Sequence, residues 1–296
     1  TQTASVRIDT VKHNPHDIKI SAPAGYDHGP VRMHRFTHTK VADFTKKKWI
    51  NIGTPTTWNN IIGTGGTKIV SFSAWVYWKD KGVTNQYIAE FGQLCFTLYE
   101  NAGDLQVKID GSTDGNWRTT NTCFTNNTWV HITVTLDMNT NGNDPVIYVN
   151  GSSVAVTTTQ DFIAFQGILT NDTFIGANNT VGSAWWGGYI ADVAIWDRVL
   201  SSTEVTELYN TGQVLNLSTS TLRGGLVGWY RMGNGPNDSN NRVYNVAASI
   251  GITTHNLSKT HGTANGYETD TNVIFDYYNA STLHAFGNPL VRAEDT

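Results

Sequence analysis

The sequence predicts an all-β protein, an antiparallel two-sheet sandwich or jelly roll, and three observations carry that prediction. Only 15% of the 296 residues are charged, against roughly 25% in an average soluble domain. Thr, Asn, Ser and 28 Gly fill the gap, beside 10 Trp, 12 Tyr and 11 Phe. Those polar residues are mediocre or poor helix formers, and the aromatics suit strands. Short alternating apolar runs recur along the chain between turn clusters, the pattern of a sandwich. A helix is signalled at one place only. Abundant aromatics and a net charge of -4 exclude a disordered chain. No run of about 18 apolar residues is present, so no helical membrane insertion is expected.

The elements follow in order. Residues 1–40 read as an extended basic arm. Residues 1–48 hold nine Lys and Arg but four Asp, a balance of +5 that leaves -9 for the rest. Such a segment suits docking on an acidic surface, either its own body or a neighbouring copy. Its basic residues are interrupted by Asp and never cluster, so nucleic acid is not an expected partner. Residues 41–215 read as the sandwich. Ile69–Trp78 alternates, with Phe72, Ala74, Val76 and Trp78 on one face. Tyr87–Phe91, Gln93–Tyr99 and Leu105–Asp110 follow, the last two joined by the turn Asn101–Asp104. Thr128–Asp137 places Val130, Ile132, Val134 and Leu136 inward and His131, Thr133 and Thr135 outward. Asn150-Gly151 is a strong hairpin signal between Val146–Asn150 and Ser152–Thr158. Thr173–Gly176 and Gly188–Trp196 complete the set. Ser201-Ser202-Thr203-Glu204 is a capping box opening one short helix, which Gly212 ends. Residues 216–296 are expected to form a carboxy-terminal extension on the sandwich or on a neighbouring subunit. Gly225–Met232 and Val273–Tyr278 are its strand-like runs.

Four motifs in order resemble a known family. Phe72–Tyr77 resembles the opening strand of a laminin G-like jelly roll of the concanavalin A-like superfamily, and Trp129–Thr135 its central W-x-H strand. Tyr148–Gly151 is similar to its YVNG hairpin. Phe174-Ile175-Gly176 followed by Gly188–Ser201 resembles the G-x-I-x-D-V-x-I-W-x-R-x-L-S signature of the laminin G/pentraxin group. The resemblance implies the fold more firmly than a function. Calcium is the cofactor it implies, at stretches that here read Thr84-Asn85 and Ala177-Asn178-Asn179-Thr180. Amides replace the carboxylates there, which lowers the expected affinity, and no metal ligand set is assigned.

Glycan hydrolysis on this fold needs two carboxylates across the scissile bond. The E-x-D-x-x-E strand of related glucanases is missing; Glu90 stands alone, and no Gly-x-Ser-x-Gly elbow occurs. The chain is therefore expected to be non-catalytic. Trp185-Trp186 in a Gly-rich loop, with Asn85, Asn178 and Asn179, forms the candidate ligand-binding set, aromatics for sugar faces and amides for hydroxyls. The competing reading has one Trp plugging the sandwich end and the other meeting a neighbour. Trp117 is a weaker aromatic candidate. His13-x2-His16 and His34-x3-His38 lack an acid or Cys partner at ligand spacing. Cys95 and Cys123 are read as half-buried thiols, with one bridge as the alternative.

A Thr/Asn/Gly-rich sandwich with a basic arm and a long tail resembles phage and virus particle proteins. The expected role is a virion surface or structural protein, in a capsid decoration, fibre or tail. Its arm would contact other virion proteins or its own copies in a homo-oligomer, and its sandwich would reach host surface glycans. The alternative is a secreted bacterial adhesion or carbohydrate-binding module.

Overall fold

The computed structural model describes residues 40–45, 48–79, 85–92, 96–101, 103–165, 171–178, 184–235, 238, 242–247, 261–266 and 274–277. All lie in a unit that begins at residue 38. The arm up to residue 39, Cys95, Asn179 and the arm histidines fall outside the described residues.

The strands in chain order are β1 Lys40–Asp43, β2 Lys48–Gly53, β3 Ile69–Trp78, β4 Gln86–Phe91, β5 Phe96–Asn101, β6 Asp104–Ile109, β7 Gly111–Thr113, β8 Gly115–Thr119, β9 Trp129–Asp137 and β10 Val146–Val149. They continue with β11 Ser152–Ser153, β12 Val156–Gln160, β13 Ile163–Phe165, β14 Thr173–Ile175, β15 Gly188–Trp196, β16 Leu226–Tyr230, β17 Arg242–Tyr244, β18 His261–Gly266 and β19 Ile274–Tyr277. Among the described residues these form two large antiparallel sheets and a two-stranded one of β7 and β13. Sheet A runs β11-β10-β9-β3-β15-β1-β19, with β16 also on β15; sheet B runs β12-β8-β6-β5-β4-β14-β2-β18-β17. This is an all-β jelly-roll sandwich. Helix α1 (Pro55–Asn59), with Pro at its start and Thr54 as cap, adds a short turn to the helix read from the capping box, α2 (Ser202–Tyr209).

Alternation decides what lies between the sheets. Phe72, Ala74 and Val76 of β3, Val130, Ile132 and Val134 of β9, and Ile190, Val193 and Ile195 of β15 face Ile50, Ile88, Phe91, Val107 and Ile175 of sheet B. Phe91 sits edge-on to both Trp58 (5.3 Å) and Phe72 (6.0 Å), tying α1 and the two sheets together. The Asn150-Gly151 hairpin has φ of 50° and 79°, the left-handed pair its sequence requires.

The residues read as outward on β9 do leave the interior, but not for water. Trp75, Trp129 and His131 are 2–3% exposed in a second cluster on the outer face of sheet A. Tyr209 at the end of α2 closes it, stacked on Trp75 at 5.8 Å. Periodicity identifies a face; it does not say whether another element covers that face.

The carboxy-terminal strands extend both sheets. β16 pairs with the second half of β15, β19 with β1, and β18 with β2. The pairing with β16 follows a one-residue bulge at Asp192 (φ 48°), which turns the strand between Ala191 and Ala194.

Candidate functional site

One end of the sandwich gathers three of the five candidate residues. β14 runs antiparallel to β4, and the pairing continues past the strand end through Gly176 N–H to Ile88 O (2.8 Å). Gly176 has φ 83°, and a Cβ there would lie 2.1 Å from the Phe44 ring, so only glycine fits. The chain then leaves the sheet and returns. Trp186 N–H donates back to Gly176 O (2.7 Å), Asn178 N–H to Ala184 O (3.2 Å), and Ala177 forms a bridge with Trp185. Across from this neck, Gln86 Oε1 accepts from Gly187 N–H at 2.8 Å. Asn85, Asn178 and Trp185 therefore share one rim, built from the start of β4 and the two sides of the β14–β15 connection.

The side chains differ in what they offer. Asn85 is exposed and left-handed (φ 63°), a conformation Asn tolerates better than most residues. Asn178 is half-buried; its amide hydrogen-bonds the Tyr87 hydroxyl, while its Oδ1 accepts no hydrogen bond among the described residues. Trp185 is partly exposed. Trp186 corrects the paired-aromatic expectation. It is 0% exposed, donates Nε1–H to Tyr189 O (3.2 Å) and packs edge-on against Phe124. Its ring faces are used by the core, so it plugs the end of the sandwich. Trp117 is corrected likewise, since it is wholly buried with its Nε1–H on Asp144.

Tyr87 is the rim residue that the sequence reading missed. Burial raises its phenol above the usual range, with Glu90 adding to the effect and the Asn178 hydrogen bond opposing it. Glu90 follows Tyr87 by three positions yet shares its outward face, because the strand shifts register between Tyr87 and Ala89. Strict alternation would have put Glu90 on the other face. Asp110 is raised by burial, then by Asp114, with Lys108 opposing.

The implied calcium is tested by the donors present. A calcium site asks for six to eight oxygens with carboxylates among them. The rim supplies amides, and no group of three His, Cys, Asp or Glu side chains that could hold a metal occurs among the described residues. Among the described residues the donors at the rim do not fit calcium; Thr84, Asn179 and Thr180 lie outside them. Cys123 is unbridged and donates to Thr119 Oγ1 (3.3 Å), and burial raises its thiol.

Residues 64–206 match a laminin G family model described as the concanavalin A-like lectin/glucanases superfamily. No curated protein matches the sequence. Among solved structures, the chain is similar to a candidate carbohydrate-binding protein from Bacteroides ovatus ATCC 8483. The TM-score is 0.54 at 17% identity, over 80% of this chain and 62% of that one. The chain thus spans less than two thirds of that protein's length. It is also similar to a heptameric SAP-like pentraxin from Limulus polyphemus (TM-score 0.42, 15% identity, 58% of this chain and 82% of that one). A third similarity is to the receptor-binding domain of botulinum neurotoxin type G (TM-score 0.38, 18% identity, 49% and 38%). The likeness to the Bacteroides ovatus protein establishes a shared fold.

Proposed function

We propose, from the laminin G-like, concanavalin A-like domain at residues 64–206, that the chain is a non-catalytic glycan-recognition protein of an extracellular or particle surface. The observation that carries this reading is the rim on which Asn178 and Trp185 lie on the two paired sides of the neck, with Asn85 at the start of the neighbouring strand β4. An indole and two primary amides on one rim offer an apolar face for a sugar ring and donors and acceptors for its hydroxyls. A surface address accords with the lectin-like fold, and no described helix is long and apolar enough to cross a membrane.

The particular setting we propose is the virion, with the sandwich as an attachment or lattice-stabilising unit of a decoration, fibre or tail protein. The charge asymmetry supports it: +5 on residues 1–48 against -9 on the remainder suits register-fixing contacts between copies. A secreted adhesion module is the rival.

A glycan array, run with and without calcium, tests the recognition step. Trp185→Ala and Asn178→Ala should each weaken the bound glycan about tenfold, the equivalent of about 1.4 kcal/mol, without moving the melting temperature. Absence of any bound glycan, or full binding by both variants, overturns the reading. Turnover of a polysaccharide that Glu90→Gln or Asp110→Asn abolishes would overturn the non-catalytic part. Deletion of residues 1–39, which leaves β1 whole, should abolish oligomerisation or particle incorporation; normal assembly by the truncated chain decides for the rival.

A further inference from the structure

A second set of aromatic and charged side chains stands on the outer face of sheet A, where neither the motif reading nor the rim places any role. Three adjacent strands put Trp129, Tyr77 and Tyr189 directly opposite one another, because Tyr77 is in register with Trp129 of β9 and with Tyr189 of β15. Their rings form a row, with centroids 5.4 Å apart between Tyr77 and Trp129 and 5.5 Å between Tyr77 and Tyr189. Trp129 is buried and backs the row; Tyr77 and Tyr189 remain partly open. The open end is fixed by backbone. Gly188 approaches Tyr77 so closely that a Cβ would lie 1.8 Å from its carbonyl oxygen, and Lys79 N–H donates to Gly187 O (3.1 Å).

Lys79 supplies the second observation. Its ammonium lies 4.3 Å from the centroid of the Tyr189 ring and donates to the Tyr189 hydroxyl at 2.7 Å. No described carboxylate stands within ion-pair distance of it. The acid in the same row is Asp43, opposite Tyr189 on β1, and its Oδ1 is engaged by the Thr45 N–H at 2.7 Å. A half-buried cation held on an aromatic ring with no counter-anion among the described residues is a ready receptor for one. Two neighbouring tyrosine rings, tilted 44° to one another, offer apolar surface to a pyranose ring. Asp43, on the far side, can accept hydroxyl protons.

We infer that Tyr77, Tyr189 and Lys79 form a second sugar subsite, separate from the rim, that takes a carboxylate-bearing sugar. The sugar ring lies on the tyrosines and its carboxylate meets the Lys79 ammonium. Sialic and uronic acids share this chemistry. A membrane or nucleic acid would demand several spread cations, and among the described residues the row has one.

The test uses the full chain, titrated with sialyllactose, a glucuronate-bearing disaccharide and neutral lactose, followed by tyrosine and tryptophan fluorescence at low salt. At least one acidic sugar should bind about tenfold tighter than lactose, and added salt should erode the preference. Lys79→Gln should abolish that preference, and Tyr189→Leu should weaken binding of acidic and neutral sugars alike. Trp185→Ala, which addresses the rim, should leave the preference intact. Selectivity between the two acidic sugars identifies the source. No binding of either acidic sugar, an unchanged preference in Lys79→Gln, or its loss in Trp185→Ala would each overturn the subsite. Because the rim and the row are removed by different variants, failure of one is distinguishable from failure of the other.

Discussion

Two buried ionisable side chains set opposite pH dependences. His131 donates or accepts at Ser73 Oγ (2.9 Å) through Nε2, and burial lowers its pKa from 6.5 to about 3. Unfolded chains therefore bind a proton that folded ones refuse as pH falls below 6.5, and stability declines towards acid. Asp192 at the β15 bulge is shifted the other way, from 3.8 up to about 7. Burial dominates, with Arg231 and the Trp229 Nε1–H bond (3.0 Å) opposing. Folded chains keep a proton that unfolded ones release, so this contribution is whole below pH 3.8 and is lost as pH rises towards 7. Between about pH 4 and 6.5 the two slopes, each up to about 1.4 kcal/mol per pH unit, oppose one another. Urea titration of variants that remove one group at a time separates the two contributions. His131→Gln should lose stability as pH rises through that window, and Asp192→Asn should lose it as pH falls. Variant profiles that keep the wild-type slope would show that the two groups do not oppose. Neither shift was legible in the sequence. His131 read as an outward residue, and its burial depends on Trp75 and Tyr209, the latter 78 positions away in the chain.

Elements were more legible than their surroundings. The capping box is present as read: Ser201 Oγ accepts from Glu204 N–H, and the Glu204 carboxylate returns to Ser201 N–H at 2.8 Å. Arg198 hydrogen-bonds that carboxylate as well and, as the largest cause, pulls its pKa down to about 2. Ser201→Ala should cost about 1 kcal/mol in chemical denaturation. The effect matters beyond the helix, because α2 carries Tyr209 onto the outer cluster. The β14–β15 connection shows the opposite case. Its Gly and Asn content marked a loop, but not which Trp turns inward. That choice is made by Gly176, whose left-handed backbone and contact with Phe44 direct the chain before it reaches Trp186. Gly176→Ala should destabilise by about 2–4 kcal/mol, combining backbone strain with overpacking. A loss below 1 kcal/mol, measured in the same way, would mean that the neck relaxes freely.

At the scale of the whole molecule, the sandwich read from the motifs ended at residue 215, and the reason is physical. Motif resemblance follows β15 and α2 and then fades, while the strand that completes β15 arrives later as β16. Its apolar run was visible; its partner was not, since pairing between residues far apart leaves no local signal. The register shows the consequence of losing it. Tyr230 is wholly buried and its hydroxyl reaches Ile52 O in sheet B (3.4 Å), Trp229 holds Asp192, and Asn245 Oδ1 accepts from Trp229 N–H (3.0 Å). Without β16, the second half of β15 becomes an open edge beside a buried carboxylate that has lost its indole donor. A chain of residues 40–215 should accordingly form no soluble monomer, whereas residues 40–247, which keep β16 and Asn245, should fold. Size-exclusion chromatography and thermal melts of the two chains decide the matter. If residues 40–215 melt as a monomer within about 5 °C of the longer chain, a difference of roughly 1–2 kcal/mol in a domain of this size, then β16 decorates the sandwich and does not complete it.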